Sequence, residues 1–141
     1  MEKSKVNYHR SINYYETDQM GIVHHSNYIR FFEEARLFRL KRAGLDYRGL
    51  EEMGIIIPVT FAECNYLLPL HFEDEVEIVT KLTKYNGIKM ELTYEIYLEG
   101  TEQLCTTGRT GHCFLDHELK PIRMKKEFPE VFARLKELVE K

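Results

Sequence analysis

Tyr14-Tyr15-Glu16-Thr17-Asp18-Gln19-Met20-Gly21-Ile22-Val23-His24-His25-Ser26-Asn27-Tyr28, running on as Ile29-Arg30-Phe31-Phe32-Glu33-Glu34-Ala35-Arg36, is the stretch around which the chain is organised. It holds a carboxylate in a polar turn, a glycine followed by small polar residues, and the opening of an apolar helix. That order sets an acid beside a helix N-terminus, where unbonded N–H groups and the helix dipole favour developing negative charge. Attack on a carbonyl needs a base or nucleophile and donors for the oxyanion. One short loop here can supply both.

Upstream, Val6, Tyr8, Ile12 and Tyr14 alternate with Asn7, His9, Ser11 and Asn13, the period of a half-buried strand, with Arg10 interrupting its apolar side. Downstream, Ser26 or Asn27 can cap a helix expected from about Asn27 to Ala43, with Gly44 just past its end. Its apolar residues, among them Ile29, Phe31, Phe32, Leu37, Phe38 and Leu40, cover a wide arc. The helix is therefore expected to be surrounded on most sides, as when a curved sheet wraps it. Arg36, Arg39 and Arg42 lie on or near that arc and point to a subunit boundary or a ligand at the far end. Asp46 is a cap for a second short helix that stops at Gly54.

From Ile55 the pattern turns to strands. Ile55–Phe61, broken by Pro58, continues through Leu68; Val76, Ile78, Thr80 and Leu82 begin a second run. Asn86-Gly87 is a hairpin signal, after which Ile88, Met90, Leu92, Tyr94, Ile96 and Leu98 alternate cleanly with polar neighbours. Gln103–Asp116 reads as the last strand, with Gly108 and Gly111 marking a bulge or a closely packed backbone. His117–Lys126 is a charged connection, and Pro129 opens an amphipathic helix at about 129–141. The sum is one α+β domain over residues 1–141, an antiparallel sheet curved round one long helix, and a homodimer is its natural completion because such a layer leaves edges uncovered.

A chain of 141 residues can bury its own core, and a formal charge of −3 lacks the basic excess of a dedicated nucleic-acid binder. Cys64, Cys105 and Cys113 are odd in number and outside any CxxC spacing, so neither a disulfide framework nor a zinc site is expected. Neither a membrane-spanning apolar run nor a signal peptide is read, since Met1 is followed by Glu, Lys, Ser and Lys; a reduced, cytoplasmic setting is expected.

The pattern Tyr14-x-x-x-Asp18-x-x-Gly21-x-Val23-x-His25-x-x-Tyr28, followed by Phe32-Glu33-Glu34-Ala35-Arg36 and Gly44, resembles the hotdog-fold acyl-CoA thioesterases of the 4-hydroxybenzoyl-CoA thioesterase family. Within it the chain is similar to the branch that includes the Tol-Pal-associated thioesterases. Asn65-Tyr66-Leu67-x-Pro69 and Asp74-Glu75-Val76-Glu77-Ile78 extend the likeness, which runs from about Val6 to Pro129. The resemblance implies a sheet wrapped round a central helix, a homodimer or homotetramer with sites between subunits, and water attacking a thioester to release coenzyme A and an acid. It implies no metal and no redox cofactor; coenzyme A belongs to the substrate.

Asp18 alone reads as a turn or capping residue; the resemblance makes it the catalytic nucleophile or general base. His25 matches the position whose backbone N–H binds the thioester oxygen, while its side chain either orients water or is merely a polar residue before the cap. His24 is expected to point away from it. The resemblance adds Tyr14, Gly21 and Val23 on the substrate side, although Tyr14 read from composition alone is a core tyrosine. Glu34 pairs most simply with Arg30, and Glu33 with Arg36; Glu63 is expected on the exposed sheet face. Coenzyme A phosphates call for basic residues, for which Lys84, Lys89, Arg109, Arg123, Lys125 and Lys126 are candidates, each otherwise a solvated charge. The rival function is a non-hydrolytic module that binds acyl-CoA or acyl-carrier protein. A dehydratase of the same fold expects a different Asp/His arrangement, which is not found.

Overall fold

The computed structural model describes residues 7–140. Five strands, β1 (Tyr8–Ser11), β2 (Val59–Tyr66), β3 (Glu75–Tyr85), β4 (Lys89–Leu98) and β5 (Leu104–Cys113), form one antiparallel sheet in the order β1-β3-β4-β5-β2. The helices are α1 (Tyr28–Arg42), α2 (Tyr47–Glu52), α3 (Met124–Glu127) and α4 (Pro129–Leu138). The sheet is open, with β1 and β2 at its edges.

Strand alternation is best kept in β4, where Met90, Leu92, Tyr94 and Ile96 are buried and their neighbours partly exposed. The hairpin before it forms at the Asn-Gly pair, through three residues, Asn86–Ile88, rather than the two-residue turn the pair predicts. Gly87 takes φ +85°, and Asn86 Oδ1 accepts from the N–H groups of Ile88 and Lys89 at 2.8 and 2.7 Å. Phe31, Phe32 and Ala35 of α1 are fully buried, and each phenyl contributes about 1.5–3 kcal/mol by leaving water. Phe32 stacks on Tyr94 at 4.4 Å between ring centres. Gly108 allows this approach: a Cβ there would lie 2.2 Å from the Phe32 ring. The same holds at Gly111, where a Cβ would meet Phe61 at 2.0 Å.

Several expectations are corrected. The buried residues of α1 form one stripe, Tyr28, Phe31, Phe32, Ala35, Arg36 and Leu40, while Ile29 is exposed and Leu37 and Phe38 are half-buried. A single sheet covers one side of a helix, so the wide apolar arc is not enclosed within one chain. Tyr14 does not end a strand in the core: it lies in a one-turn 3-10 segment, Tyr14–Glu16, and is 75% exposed. Val6 lies outside the described residues, as does Lys141. Ile55–Ile57 stays out of β2: Ile56 forms an isolated bridge with Leu115, and Ile55 and Ile57 are buried in the core. The charged connection contains α3, and the last helix stops at Leu138 because Val139 turns extended and pairs with Leu82 beside β3.

Candidate active site

The loop carrying Asp18 is held from behind by Arg10. After Ile12 packs into the core, the 3-10 turn carries the Glu16 side chain inward, where it is 6% exposed. Its carboxylate accepts the Asn13 N–H at 2.8 Å and two bonds from Arg10 Nη2 at 2.6 and 2.7 Å. The Arg10 guanidinium lies 4.2 Å over the Phe31 ring and gives Nη1 to Glu34 at 3.1 Å. The Glu16 carbonyl meanwhile accepts from the His24 N–H and from Asn27 Nδ2, both at 2.9 Å. Strand β1, the Asp18 loop and the start of α1 are thereby joined as one unit. Arg10, which interrupts the apolar pattern of β1, is the centre of it.

Between these anchors the chain reverses tightly. Thr17 bridges to Val23, Asp18 N–H donates to the Ile22 carbonyl at 2.8 Å, and Asp18 Oδ1 accepts the Met20 N–H at 2.8 Å. Gly21 is required by its φ of +78°; an added Cβ would meet no atom of the other described residues within 4 Å, its two chain neighbours aside. Asp18 is half-buried, with one carboxylate oxygen engaged by the turn.

The helix entry differs from expectation. Asn27 stands at the N-cap position of α1 but its side chain makes no cap bond there; the capping side chain is His24, at the turn before it, whose Nδ1 accepts the Ser26 N–H at 3.1 Å and lies 2.8 Å from Ser26 Oγ. His25–Asn27 forms a 3-10 turn that runs into α1. The His24 and His25 rings do not point apart but stack at 4.2 Å. As the first residue of the turn, His25 has an N–H with no carbonyl of that turn to meet. Its carbonyl accepts from Tyr66 Oη at 3.3 Å.

Asp18 and His25 line one cleft of about 380 Å³ together with Met20, Ile22, Val23 and Tyr28 on one side and Tyr66, Leu67, Leu68 and Pro69 on the other. Tyr28 and Tyr66 meet edge to face at 4.9 Å. Burial pushes the hydroxyls of both up to about 12, helped at Tyr66 by its hydrogen bond with Cys64. Both therefore remain protonated near neutrality and act as packing and donor groups. Tyr14 and Gly21 are not among the lining residues; Tyr14 packs edge-on to Phe72 at 5.5 Å. Tyr66, Leu67 and Pro69 belong to a stretch whose similarity was visible in sequence, but composition gave no sign that it faces Asp18.

The remaining carboxylates lie elsewhere. Glu34 accepts from Tyr8 Oη at 3.0 Å and from Arg10, rather than pairing with Arg30; burial, and then that carboxylate, push the Tyr8 hydroxyl up to about 12. Arg36 does not pair with Glu33. It is 4% exposed and donates to Tyr94 Oη at 3.1 Å, which continues through Thr110 to His112 at 2.7 and 2.8 Å. Burial, and then the Arg36 charge, push the His112 imidazole down to about 4. Glu63 is exposed and bonded to Arg109 at 3.0 and 3.2 Å, which holds its carboxyl below the usual range. None of the six basic candidates for phosphate binding lines the Asp18 cleft. Arg123, Lys125 and Lys126 instead border a separate groove with Asn86, Gly87 and Ile88. Among the described residues no group of three or more His, Cys, Asp or Glu side chains is placed to hold a metal ion, and no helix is long and apolar enough to cross a membrane.

Comparison with known proteins bears on this geometry. The family model described as the thioesterase-like superfamily matches residues 12–135. The protein YneP of Bacillus subtilis is 37% identical over 120 residues, covering 84% of this chain and 86% of its own. A 1,4-dihydroxy-2-naphthoyl-CoA hydrolase of Thermosynechococcus vestitus is 29% identical over 107 residues, 75% of this chain and 73% of its own. The crystal structure of a DHNA-CoA thioesterase from Staphylococcus aureus superposes with a TM-score of 0.88 at 34% identity, covering 93% of this chain and 88% of that one. The sheet order, the long helix and the match over nearly the whole length agree with the hotdog architecture, and the chain belongs to the thioesterase-like superfamily.

Proposed function

We propose that this protein is an acyl-CoA thioesterase that uses Asp18 on the thioester carbonyl. The observation that carries the reading is the meeting of Asp18 and the helical turn at His25 on one cleft, otherwise lined mainly by apolar side chains. A thioester carbonyl placed there has a carboxylate on one side and the N–H at the start of a helix on the other. Asp18 either takes a proton from water as it adds to the carbonyl or adds itself, giving a mixed anhydride that water then opens; in both routes coenzyme A departs as thiolate and one water is consumed. The His25 N–H stabilises the oxyanion, and the exposed His25 imidazole is free to orient water. Val23, Ile22 and Leu68 offer the acyl group an apolar wall. Relatives named for DHNA-CoA support a thioester of coenzyme A as substrate.

The active form in this reading is a homodimer or a homotetramer built on it. β2 is an edge strand eight residues long, and Val59 and Tyr66 on it are about half exposed, as are Leu67 beyond it and Phe72. An unprotected edge of that length pairs readily with a second copy. Three free cysteines suit the reducing cytoplasm. The test is thiol release from a panel of acyl- and aroyl-CoA esters by wild type and Asp18→Asn. The expected result is turnover by wild type and loss of at least about a hundredfold in the variant, the scale of a lost general base or more. Equal rates in the two proteins would remove Asp18 from the reaction, and tight binding without turnover by wild type would favour a non-hydrolytic binding module.

A further inference from the structure

We propose that His24 is a positioning residue for the thioester site: its imidazole Nδ1 caps the helical turn that presents the His25 N–H. The inference rests on the thioesterase reading above, and three observations carry it. The first is the cap itself. His24 has the extended backbone of an N-cap residue, φ −66° and ψ 136°, and its Nδ1 receives the Ser26 N–H at 3.1 Å. Ser, Thr, Asp and Asn are the usual residues for this task, because a short side chain can bend back onto the second or third N–H. Here an imidazole does it, and the nearby Ser26 hydroxyl is drawn to the same nitrogen at 2.8 Å instead of capping the helix.

The second observation is which groups of the turn the other contacts hold. It spans His25–Asn27, and the Asn27 N–H closes it on the His24 carbonyl at 3.0 Å. Tyr66 Oη reaches the His25 carbonyl from β2, and Asn27 Nδ2 reaches the Glu16 carbonyl. These contacts fix carbonyls and the far end of the turn. The acceptor for an N–H at its opening is the His24 ring. Remove it, and the Ser26 N–H loses its acceptor, so the turn that carries the His25 N–H is held less firmly.

The third observation is the ring's seating. The His24 N–H donates to the Glu16 carbonyl, so the residue is tied to the Arg10-anchored loop that carries Asp18, and its ring stacks on His25 at 4.2 Å. His24 therefore spans the two halves of the site, the acid and the donor. Its role also fixes its tautomer: a nitrogen that accepts an N–H carries no proton, so the ring proton sits on Nε2.

Two variants separate this role from general support. His24→Ala removes the acceptor. His24→Asn restores one of the right reach without restoring the ring. On the thioester that wild type turns over fastest, His24→Ala is expected to lower kcat about tenfold with KM changed less than about twofold, and His24→Asn to recover most of the loss. A side chain needed only for folding would move melting temperature without this split between kcat and KM or this rescue. Nitrogen-15 NMR of the wild-type protein supplies a readout independent of turnover: His24 is expected as the Nε2–H tautomer with Nδ1 accepting a hydrogen bond. Unchanged kcat in His24→Ala, equal impairment of both variants, or a proton found on Nδ1 would each overturn the proposal. Silence of wild type on every thioester would instead fell the enzyme reading, and the ring tautomer would still decide whether His24 is the cap.

Discussion

Replacing Arg10 by Met is expected to destabilise the protein by about 3–5 kcal/mol, the cost of stripping one partner from a buried ion pair. The Arg10 and Glu16 side chains are 10% and 7% exposed, and the guanidinium makes two short bonds to the carboxylate. Methionine keeps an apolar stem over the Phe31 ring, so most of the packing survives. What disappears is the charge opposite Glu16, leaving that carboxylate with the single Asn13 N–H. Urea unfolding at pH 7 measures the loss. For a slope of about 2 kcal/mol per molar urea the midpoint falls by roughly 2 M. The double variant Arg10→Met/Glu16→Gln removes both charges while a Gln carbonyl can still accept from Asn13, and it is expected to regain at least about half of the lost stability. The effect should also reach the chemistry, because the Glu16 backbone carbonyl holds both His24 and Asn27. A single-variant loss below about 1 kcal/mol, or a double variant no more stable than the single one, would refute the argument that a buried carboxylate is the source of the cost.

Two further perturbations test other parts of the structure. Gly108→Ala puts a Cβ 2.2 Å from the Phe32 ring and 3.0 Å from the Glu63 carbonyl; it is expected to cost about 1–3 kcal/mol by urea unfolding and to cost clearly less in a Phe32→Leu background, whereas equal costs in the two backgrounds would mean the crowding lies elsewhere. His112 has a folded value of about 4 against an ordinary 6.5, so the unfolded chain takes up its proton first; stability is full above about pH 6.5 and is lost as the pH falls toward 4, by about 2 kcal/mol between pH 7 and 5. His112→Gln should remove that share of the slope, and a variant whose stability falls with pH as steeply as wild type would show that His112 does not carry it.

Much of the architecture is legible along the chain because it is written in local terms. The Asn86-Gly87 hairpin, the alternation of β4, the glycine past α1 and the Asp46 cap all form where periodicity and turn chemistry place them. The parts misread are those where a side chain answers to a distant partner. Glu34 has Arg30 on the next turn of its own helix, yet Arg10 of β1 reaches it first. His24 and His25 ought to diverge as neighbours on a strand would, but the chain is already entering a helical turn and their rings stack. Tyr14 fits the alternation of β1, but the strand ends at Ser11 and Glu16 takes the inward position, where its carboxylate meets Arg10.

For the site, the sequence by itself determined the order of its chemistry: an acid, a glycine reversal and a helix entry within a dozen residues, a matter of local spacing that folding does not alter. Tertiary structure decided the rest. It brought Tyr66 from β2 onto the His25 carbonyl across 41 positions of chain and closed the cleft with Leu67, Leu68 and Pro69. It turned Arg10 from an interruption in a strand into the anchor of the Asp18 loop, and it made His24 a cap. Such roles depend on which groups lose water together, and a buried charge or N–H takes whichever partner the packed sheet and helix bring within reach.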